Sequence, residues 1–600
     1  MRIRFIGRVS KNGAIHEDER LRISETFGAL VENGQTIVTG GVVLAVPAAS
    51  IVWRQPGSTI AIVGSVYSGL EGRRLETLTD ALGVAACQTR GASILRDLWG
   101  RYVAFVIDET NGRIDIVRDP SMGVPCYRIG SASAVAIASD LDLLLDTDLC
   151  TAEIDWAGVC DHLRWHQLRG ARTCINGVQE LLGGERLSVA AGVTTCDAAW
   201  SPWTFAARDA RIEDWDLVTT LLHETVQGCV LSVASDFAHP LVSISGGLDS
   251  SLIVASLAAR GGSFSCVTIA TRDPAGDERC FARQVAHAAG VRLFEAFEDI
   301  DAVDLGSCDG AHLPRPIARA FAQSADRIQA AAAKEVGADV FMNGAGGDNV
   351  FCFLRSAAPI ADRLLVDGLS SGVWRTSRDM GSIAQVSTLR AALKGCRRAF
   401  LQDRGFVWRG DERYLSESAL ATGSQLAIHP WLEPPRDALP GKAGHIAAIM
   451  NIHNHVEGFR RELTSPVLAP LLSQPLLELC LRIPTWTWCR DGRDRAPARS
   501  AFAAHLPAAI AWRRSKGSPT GFASDIWTVM RRQIATLLLE GELAQRGLVQ
   551  RAPLEAALSL SRPVTDVEFL RVMQLLDVEM WLVAMSQRRQ KRASAGVERG

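Results

Sequence analysis

The sequence predicts an α/β protein of two domains: an α+β amino-terminal half rich in antiparallel pairing, then a doubly wound parallel sheet. Three observations carry this. A length of 600 residues exceeds what one hydrophobic core fills. Residues 1 to about 200 break into short β-rich runs separated by turn residues. Beyond them, apolar strand runs alternate with segments of helical period, the pattern of βαβ units. The expected boundaries are 1–205 and 212–585, with 586–600 as a basic tail.

In the first half, "TIVTGGVVLAV" reads as two strands joined at Gly40-Gly41. "STIAIVGSVY", "RYVAFVIDETNGRIDIVRD" and "AVAIASD" continue the series, and Asn111-Gly112 marks a hairpin inside the second of these. "SILRDLW" and "DWAGVCDHLRWH" are the intervening helical patches. Trp200–Arg211 reads as a linker. Next, Leu217, Leu221, Leu222, Val226 and Val230 fall on one face of a helix. The second half then alternates: strand "LVSI", helix "SLIVASLAAR", strand "FSCVTIA", helix "RCFARQVAHAAG", strand "RLFEA", helix "SADRIQAAAAKEVG", strand "DVFMN". After about residue 355 the chain is mostly helical, and its basic end reads as solvated and frayed.

Composition narrows the function class. Apolar residues make up 47% and charged residues 22%, as in ordinary globular proteins. A net charge of −2 offers no bulk basic field for nucleic acid. The 14 cysteines are scattered with no CxxC pair, which fits reduced thiols in a cytoplasmic protein. The start "MRIRFIGRVSKNG" lacks the apolar core of a signal peptide. The longest uncharged run, Thr36–Trp53, is broken by Gly40, Gly41 and Pro47, so no membrane span is expected. His162 and His166 have zinc-helix spacing, but with no glutamate after His162 they are not read as ligands.

The chemistry sits in "LVSISGGLDSSLIVASLA", Leu241–Ala258. In a parallel sheet, ligands bind beyond the carboxyl ends of the strands, and Ile244–Ser251 occupies such an end. Gly246 and Gly247 can take positive φ and let backbone N–H groups close on an anion. The following helix adds its positive N-terminus. Ser245, Ser250 and Ser251 supply hydroxyls. Asp249 would repel a bare phosphate, so it points to an intervening Mg²⁺. The loop is not the GxxxxGK[ST] type.

SGGLDSS resembles the pyrophosphate loop of ATP pyrophosphatases that make acyl-adenylates. That group includes GMP synthetase, tRNA-lysidine synthetase, asparagine synthetase and β-lactam synthetase, and the loop alone does not choose among them. "GADVFMNGAGGDNVF" resembles the asparagine synthetase pattern SGEGxDExF. By that resemblance Asn343 and Gly344 contact the nucleotide and Asp348 is the second Mg²⁺ carboxylate, while Ala345 replaces the glutamate of the ammonia step. "AAHLPAAIAWRRSKGSPTGF" resembles the "LP…VAWRxK" stretch, which makes Lys516 the lysine that stabilises charge during adenylation. In "EGFRRELTSPVLAPLLSQPLLELCLRIP", Glu462 matches an acid that could orient or deprotonate an amine, or form a structural salt bridge. Asp277, Glu278 and Arg279 either border the nucleotide or simply begin a helix.

The first half is similar to a glutaminase domain of the amino-terminal-nucleophile fold, through "LWGRYVAFVIDETNGRIDIVRDPSMGVPCYR" and "AIASDLDLLL". That enzyme needs Cys at position 2, where this chain has Arg2. The glutamine-binding NGEIYN segment has become Val63–Ser68. The resemblance therefore implies an adenylating ligase using ATP and Mg²⁺ on a substrate that brings its own amine. Its closest pattern is that of lasso peptide cyclases, which close a macrolactam between an Asp or Glu side chain and the α-amine of a core peptide. The partners so implied are a precursor peptide, a leader peptidase and a leader-binding protein. The alternatives are a β-lactam synthetase-like or other glutamine-independent amide synthetase on a small substrate, and a catalytically dead peptide-binding scaffold.

Overall fold

The computed structural model describes residues 2–11, 13, 15–39, 41–70, 72–146, 150–272, 276–423, 429–514, 520–559 and 566–597. Its amino-terminal half holds twelve strands: β1 (Ile6–Ser10), β2 (Gly34–Thr39), β3 (Val42–Pro47), β4 (Ile51–Gln55), β5 (Ser58–Tyr67), β6 (Trp99–Asp108), β7 (Arg113–Arg118), β8 (Tyr127–Gly130), β9 (Ala134–Ala138), β10 (Val178–Glu180), β11 (Glu185–Ala190) and β12 (Val193–Ala198). They form two six-stranded antiparallel sheets, ordered β10-β8-β9-β1-β3-β2 and β12-β11-β7-β6-β5-β4. The Asn111-Gly112 turn closes the β6–β7 hairpin, with Asp108 opposite Arg113.

The sheets pack face to face through Phe5, Leu44, Val63, Val103, Phe105 and Ile116, with Phe5 edge-on to Phe105 at 5.4 Å. Their outer faces are covered as well. Phe27 of helix Glu17–Leu30 joins Ile6, Val43 and Tyr127 on one side. Tyr102, Ala104 and Val117 join helices of both halves on the other. This is why β5 and β6 read as continuous apolar runs without polar alternation: neither face meets water.

The second half centres on five parallel strands, β13 (Pro240–Ser243), β14 (Ser265–Ala270), β15 (Leu293–Phe297), β16 (Val340–Asn343) and β17 (Val467–Leu468), ordered β15-β14-β13-β16-β17. Strand β17 is two residues long, too short for any periodicity to announce it. The sheet's core is continuous with the outer face of the amino-terminal half. Helix Trp215–Ala234 lies at that junction, where Ser232 donates to the Leu70 carbonyl at 3.1 Å. Among the described residues it is the one helix long and apolar enough to cross a membrane by length and composition, and half of that stretch is buried.

Two expectations need correction. Trp200–Arg211 is not a free linker: Pro202–Ala206 is helical, Trp200 stacks on Phe205, and the Trp203 indole donates to the Trp431 carbonyl at 2.9 Å. Nor is the basic end frayed over its described part. Helix Asp566–Val597 continues through it, and Arg588 and Arg592 pair with Asp142 and Asp146 of the amino-terminal half.

Candidate active site

Strand β13 ends at Ser243, and the Ile244 N–H donates to Val267 at 2.8 Å, fixing the start of the loop. Gly246 has φ +65°, and a Cβ there would collide with Phe281, so only glycine fits. Helix Leu248–Arg260 begins at Gly247 with no side-chain cap, which leaves its first N–H groups for an anion. Ser250 is buried, and its hydroxyl oxygen has no partner among the described residues. Ser245 is exposed at the mouth. Ser251 departs from expectation: it is fully buried and its hydroxyl donates to the Gly247 carbonyl at 2.7 Å, inside the helix.

The loop after β16 packs directly on this one. A Cβ on Gly344 would lie 2.6 Å from the Ser250 nitrogen, and one on Gly347 would collide with the Asp249 carboxylate. The two glycines thus bring Asp348 beside Asp249. Asn343 Oδ1 accepts the Ala345 N–H at 3.0 Å, which holds its side chain against the turn.

Arg495 was not anticipated from the sequence. Its Nη1 donates to both Asp249 oxygens at 3.0 and 3.1 Å and also to Asp348. The residue sits at φ +53°, and Asp494 accepts from both Arg495 and Arg499 at 2.8 Å. Burial works against the Arg495 charge, but Asp249, Asp348 and Asp494 outweigh it and hold the guanidinium above its ordinary pKa. Two carboxylates that converge on one cationic nitrogen can share one cation. With hard oxygen donors and the unpartnered Ser250 hydroxyl beside them, the residues present fit Mg²⁺ and a polyphosphate.

These groups line a pocket of about 420 Å³, formed by Ile244, Ser245, Gly247, Asp249 and Ser250 from the first loop and Asn343 and Gly344 from the second. Arg495, Arg499 and Arg513 form its cationic side. Glu278 pairs with Arg513 at 2.6 Å, which places it at the pocket's edge, whereas Asp277 pairs with Arg279 instead. Lys516 lies outside the described residues.

A second cavity, of about 340 Å³, opens between the two halves. Asn343 lines both spaces. Glu462 faces the second cavity and makes no ion pair among the described residues; Arg461 beside it pairs with Asp326. Burial, reinforced by neighbouring Glu457, pushes the Glu462 carboxyl up to about 7 against the pull of Arg319. Across the cavity stand Arg2, Gly64 and Ser65, whereas Val63 is fully buried between the sheets.

Beside the cavity lies a cluster of five buried charges that sequence reasoning missed. Glu180 meets Arg118, Arg169 and Arg315 at 2.7, 2.6 and 3.1 Å, and Glu457 meets Arg169 and Arg315 at 2.8 and 2.9 Å. Burial alone would raise Glu180, but the three guanidiniums hold it well below the usual carboxylate range.

A glycine loop at the carboxyl end of the parallel sheet's central strand and two carboxylates converging beside it are the arrangement expected of a two-domain ligase that uses ATP. Comparison with known proteins makes this specific. The asparagine synthase family matches residues 221–439 and 466–583, more than half of the chain, and the glutamine amidotransferase domain matches residues 65–200. The chain belongs to the asparagine synthase family, and with it to the enzymes that form amide bonds at the expense of ATP. No curated protein matches it. Two similar solved structures are the allosteric regulatory enzyme of purine biosynthesis and the B. subtilis glutamine phosphoribosylpyrophosphate amidotransferase complexed with ADP and GMP. Each is 11% identical with a TM-score of 0.23; the match covers 57% of this chain and 89% and 90% of theirs, respectively. That likeness is too low for any site to be compared.

Proposed function

We propose that the protein is a macrolactam synthetase of the lasso peptide cyclase type, which adenylates an Asp or Glu side chain of a core peptide and closes a ring with the peptide's own α-amine. One observation carries the reading. Asn343 lines both the pocket that fits ATP and an interdomain cavity whose lining holds no cysteine, with Arg2 where the resemblance puts the glutaminase nucleophile, and Ala345 replaces the ammonia-step glutamate. The attacking amine must therefore come with the substrate.

In the first step the substrate carboxylate attacks the α-phosphorus; the α–β bridging bond breaks and pyrophosphate leaves. The loop N–H groups and the Ser250 hydroxyl bind the β,γ-phosphates, while Arg495 and Arg499 offset their charge. Asp249 and Asp348 would hold Mg²⁺, which supplies charge neutralisation at those phosphates. In the second step the amine attacks the acyl carbon, AMP leaves, and the amine proton passes to Glu462, whose raised pKa suits a base near neutrality. Lys516 is assigned to the developing oxyanion through the family resemblance. A peptide α-amine has a pKa of about 7.7–8.0, so roughly a tenth to a sixth is already neutral at pH 7. The larger demand is holding amine and acyl carbon together, worth about 7–11 kcal/mol when the geometry is right. A cavity walled by both domains suits that task. A leader peptidase and a leader-binding protein are the partners this reading calls for.

The test is pyrophosphate release with ATP, Mg²⁺ and candidate core peptides, followed by mass measurement for loss of one water. Release with a small β-amino acid but with no peptide would replace this reading by a β-lactam synthetase-like one. No release with either would leave a peptide-binding scaffold.

A further inference from the structure

The amino-terminal end of the interdomain cavity carries three guanidiniums, Arg2, Arg74 and Arg101. The pairing of β5 with β6 sets Arg101 opposite Ser65, and a bridge between Tyr67 and Arg74 brings the third arginine to the same edge. Arg74 donates to the Ala49 and Gly64 carbonyls at 3.4 Å, and Arg101 to the Gly123 carbonyl at 3.0 Å. None of the three has a carboxylate within ion-pair distance among the described residues. Of the cavity's acids, Asp140 is engaged with Arg4, Asp236 with the Tyr67 hydroxyl and Glu457 with Arg169 and Arg315; Glu462 alone is left, and it reaches Arg101 only through its field. Burial works against the Arg101 charge, with only the more distant fields of Asp119, Glu462 and Tyr67 in its favour. A desolvated cation such as Arg101 is costly without a counter-ion, and with Arg2 and Arg74 lining the same cavity a ligand can supply the missing negative charge. Guanidiniums suit a carboxylate in particular, through paired N–H donors.

We propose that Arg2, Arg74 and Arg101 form an anion subsite that holds a second carboxylate of the substrate, separate from the one activated at Asn343. This rests on the peptide-cyclising reading and deepens it: the substrate is anchored at one end of the cavity and activated at the other. The second carboxylate is either the peptide's free C-terminus or another acidic side chain.

Calorimetric titration separates the two sources, with the nucleotide pocket saturated by Mg²⁺ and α,β-methylene-ATP. The probes are acetyl-Ala-Ala with a free carboxylate, acetyl-Asp-amide, and uncharged acetyl-Ala-Ala-amide. At least one charged probe is expected to bind tenfold or more tightly than the uncharged one, and to lose tenfold or more in Arg74→Ala. The probe that does so identifies the source. Arg101→Lys, which keeps the charge, should weaken binding less than Arg101→Met. Equal binding of charged and uncharged probes, or no loss in Arg74→Ala, would overturn the subsite. Titration of α,β-methylene-ATP alone shows that each variant is folded. Its failure to bind the wild-type protein would count against the ligase reading rather than against the subsite.

Discussion

Asp249 and Asp348 converge on Arg495, and the role proposed for Asp249 has a direct test. Asp249→Asn keeps the shape beside Gly347 but removes one of the two charges that converge on Arg495. Pyrophosphate release is expected to fall by about 10²–10³-fold, the usual effect of losing one preorganised charge at a transition state; a fall of less than fivefold would exclude Asp249 from the site. Glu462 makes a pH prediction. A base held at about 7 must be ionised to accept the amine proton, so the rate should drop steeply as pH falls below about 7, and Glu462→Gln should lower the rate and leave only the shallower limb set by the amine itself. The same shift acts on stability with the opposite slope. A carboxyl raised by folding contributes stability that is present below its unfolded pKa and lost as pH rises towards about 7, so Glu462→Gln should be the more stable protein at pH 8. Equal denaturation midpoints at pH 5 and pH 8, relative to wild type, would contradict this. At this scale much of the site was legible, because SGGLDSS and NGAGGD have residue types that few other tasks require. Arg495 was not. It lies in "CRDGRDRAPAR", where alternating acids and arginines read as a solvated turn, and only the fold brings it to Asp249 from 246 positions away.

The element that carries the nucleotide site is one strand, one loop and one helix. Its weak point is Gly246, where positive φ and the packing of Phe281 both exclude a side chain. Gly246→Ala is expected to weaken binding of an ATP analogue at least tenfold, because the loop must open to admit a methyl group; calorimetric titration reads this directly. The left-handed backbone alone costs about 1–2 kcal/mol for a residue with a Cβ. Unchanged affinity would mean that the loop does not hold phosphate through its backbone. The alternation of strands and helices from Pro240 to Asn343 was readable from period alone, since all but the edge strand β15 are largely buried runs and the helices span several turns. Two elements were not. Strand β17 has too few residues to show a period. The end of the last helix, from residue 586, reads as a frayed tail because Arg588, Arg589, Lys591 and Arg592 resemble a solvated end, yet two of them find acids from a distant part of the chain.

The whole molecule is held together by charges as well as by its shared core. Arg118, Arg169 and Glu180 belong to the first half, Arg315 and Glu457 to the second, and all five are buried beside the cavity. Replacing Arg315 with Met removes the one cation from the second half that bonds both carboxylates, and removal of one partner from a buried pair costs about 3–5 kcal/mol. Chemical denaturation of Arg315→Met should show a loss of that order; a loss under about 1 kcal/mol would mean that the cluster does not join the halves. The sign with pH is also fixed. Glu180 is held below its usual range, so its contribution is present at neutral pH and is lost only as the solution is made strongly acid.

The cluster also bears on how a guest would be handled. Walls joined by five buried charges, three guanidiniums around two carboxylates, resist swinging apart for each visitor. The cavity then acts as a casting mould of fixed outline rather than as a closing hand. If the guest is the core peptide proposed above, it must bend itself to the outline before ring closure, and the entropy of that bending falls on the guest. Selectivity would follow how readily a peptide folds back on itself, and the finished ring would leave by sliding out of a form that has not changed.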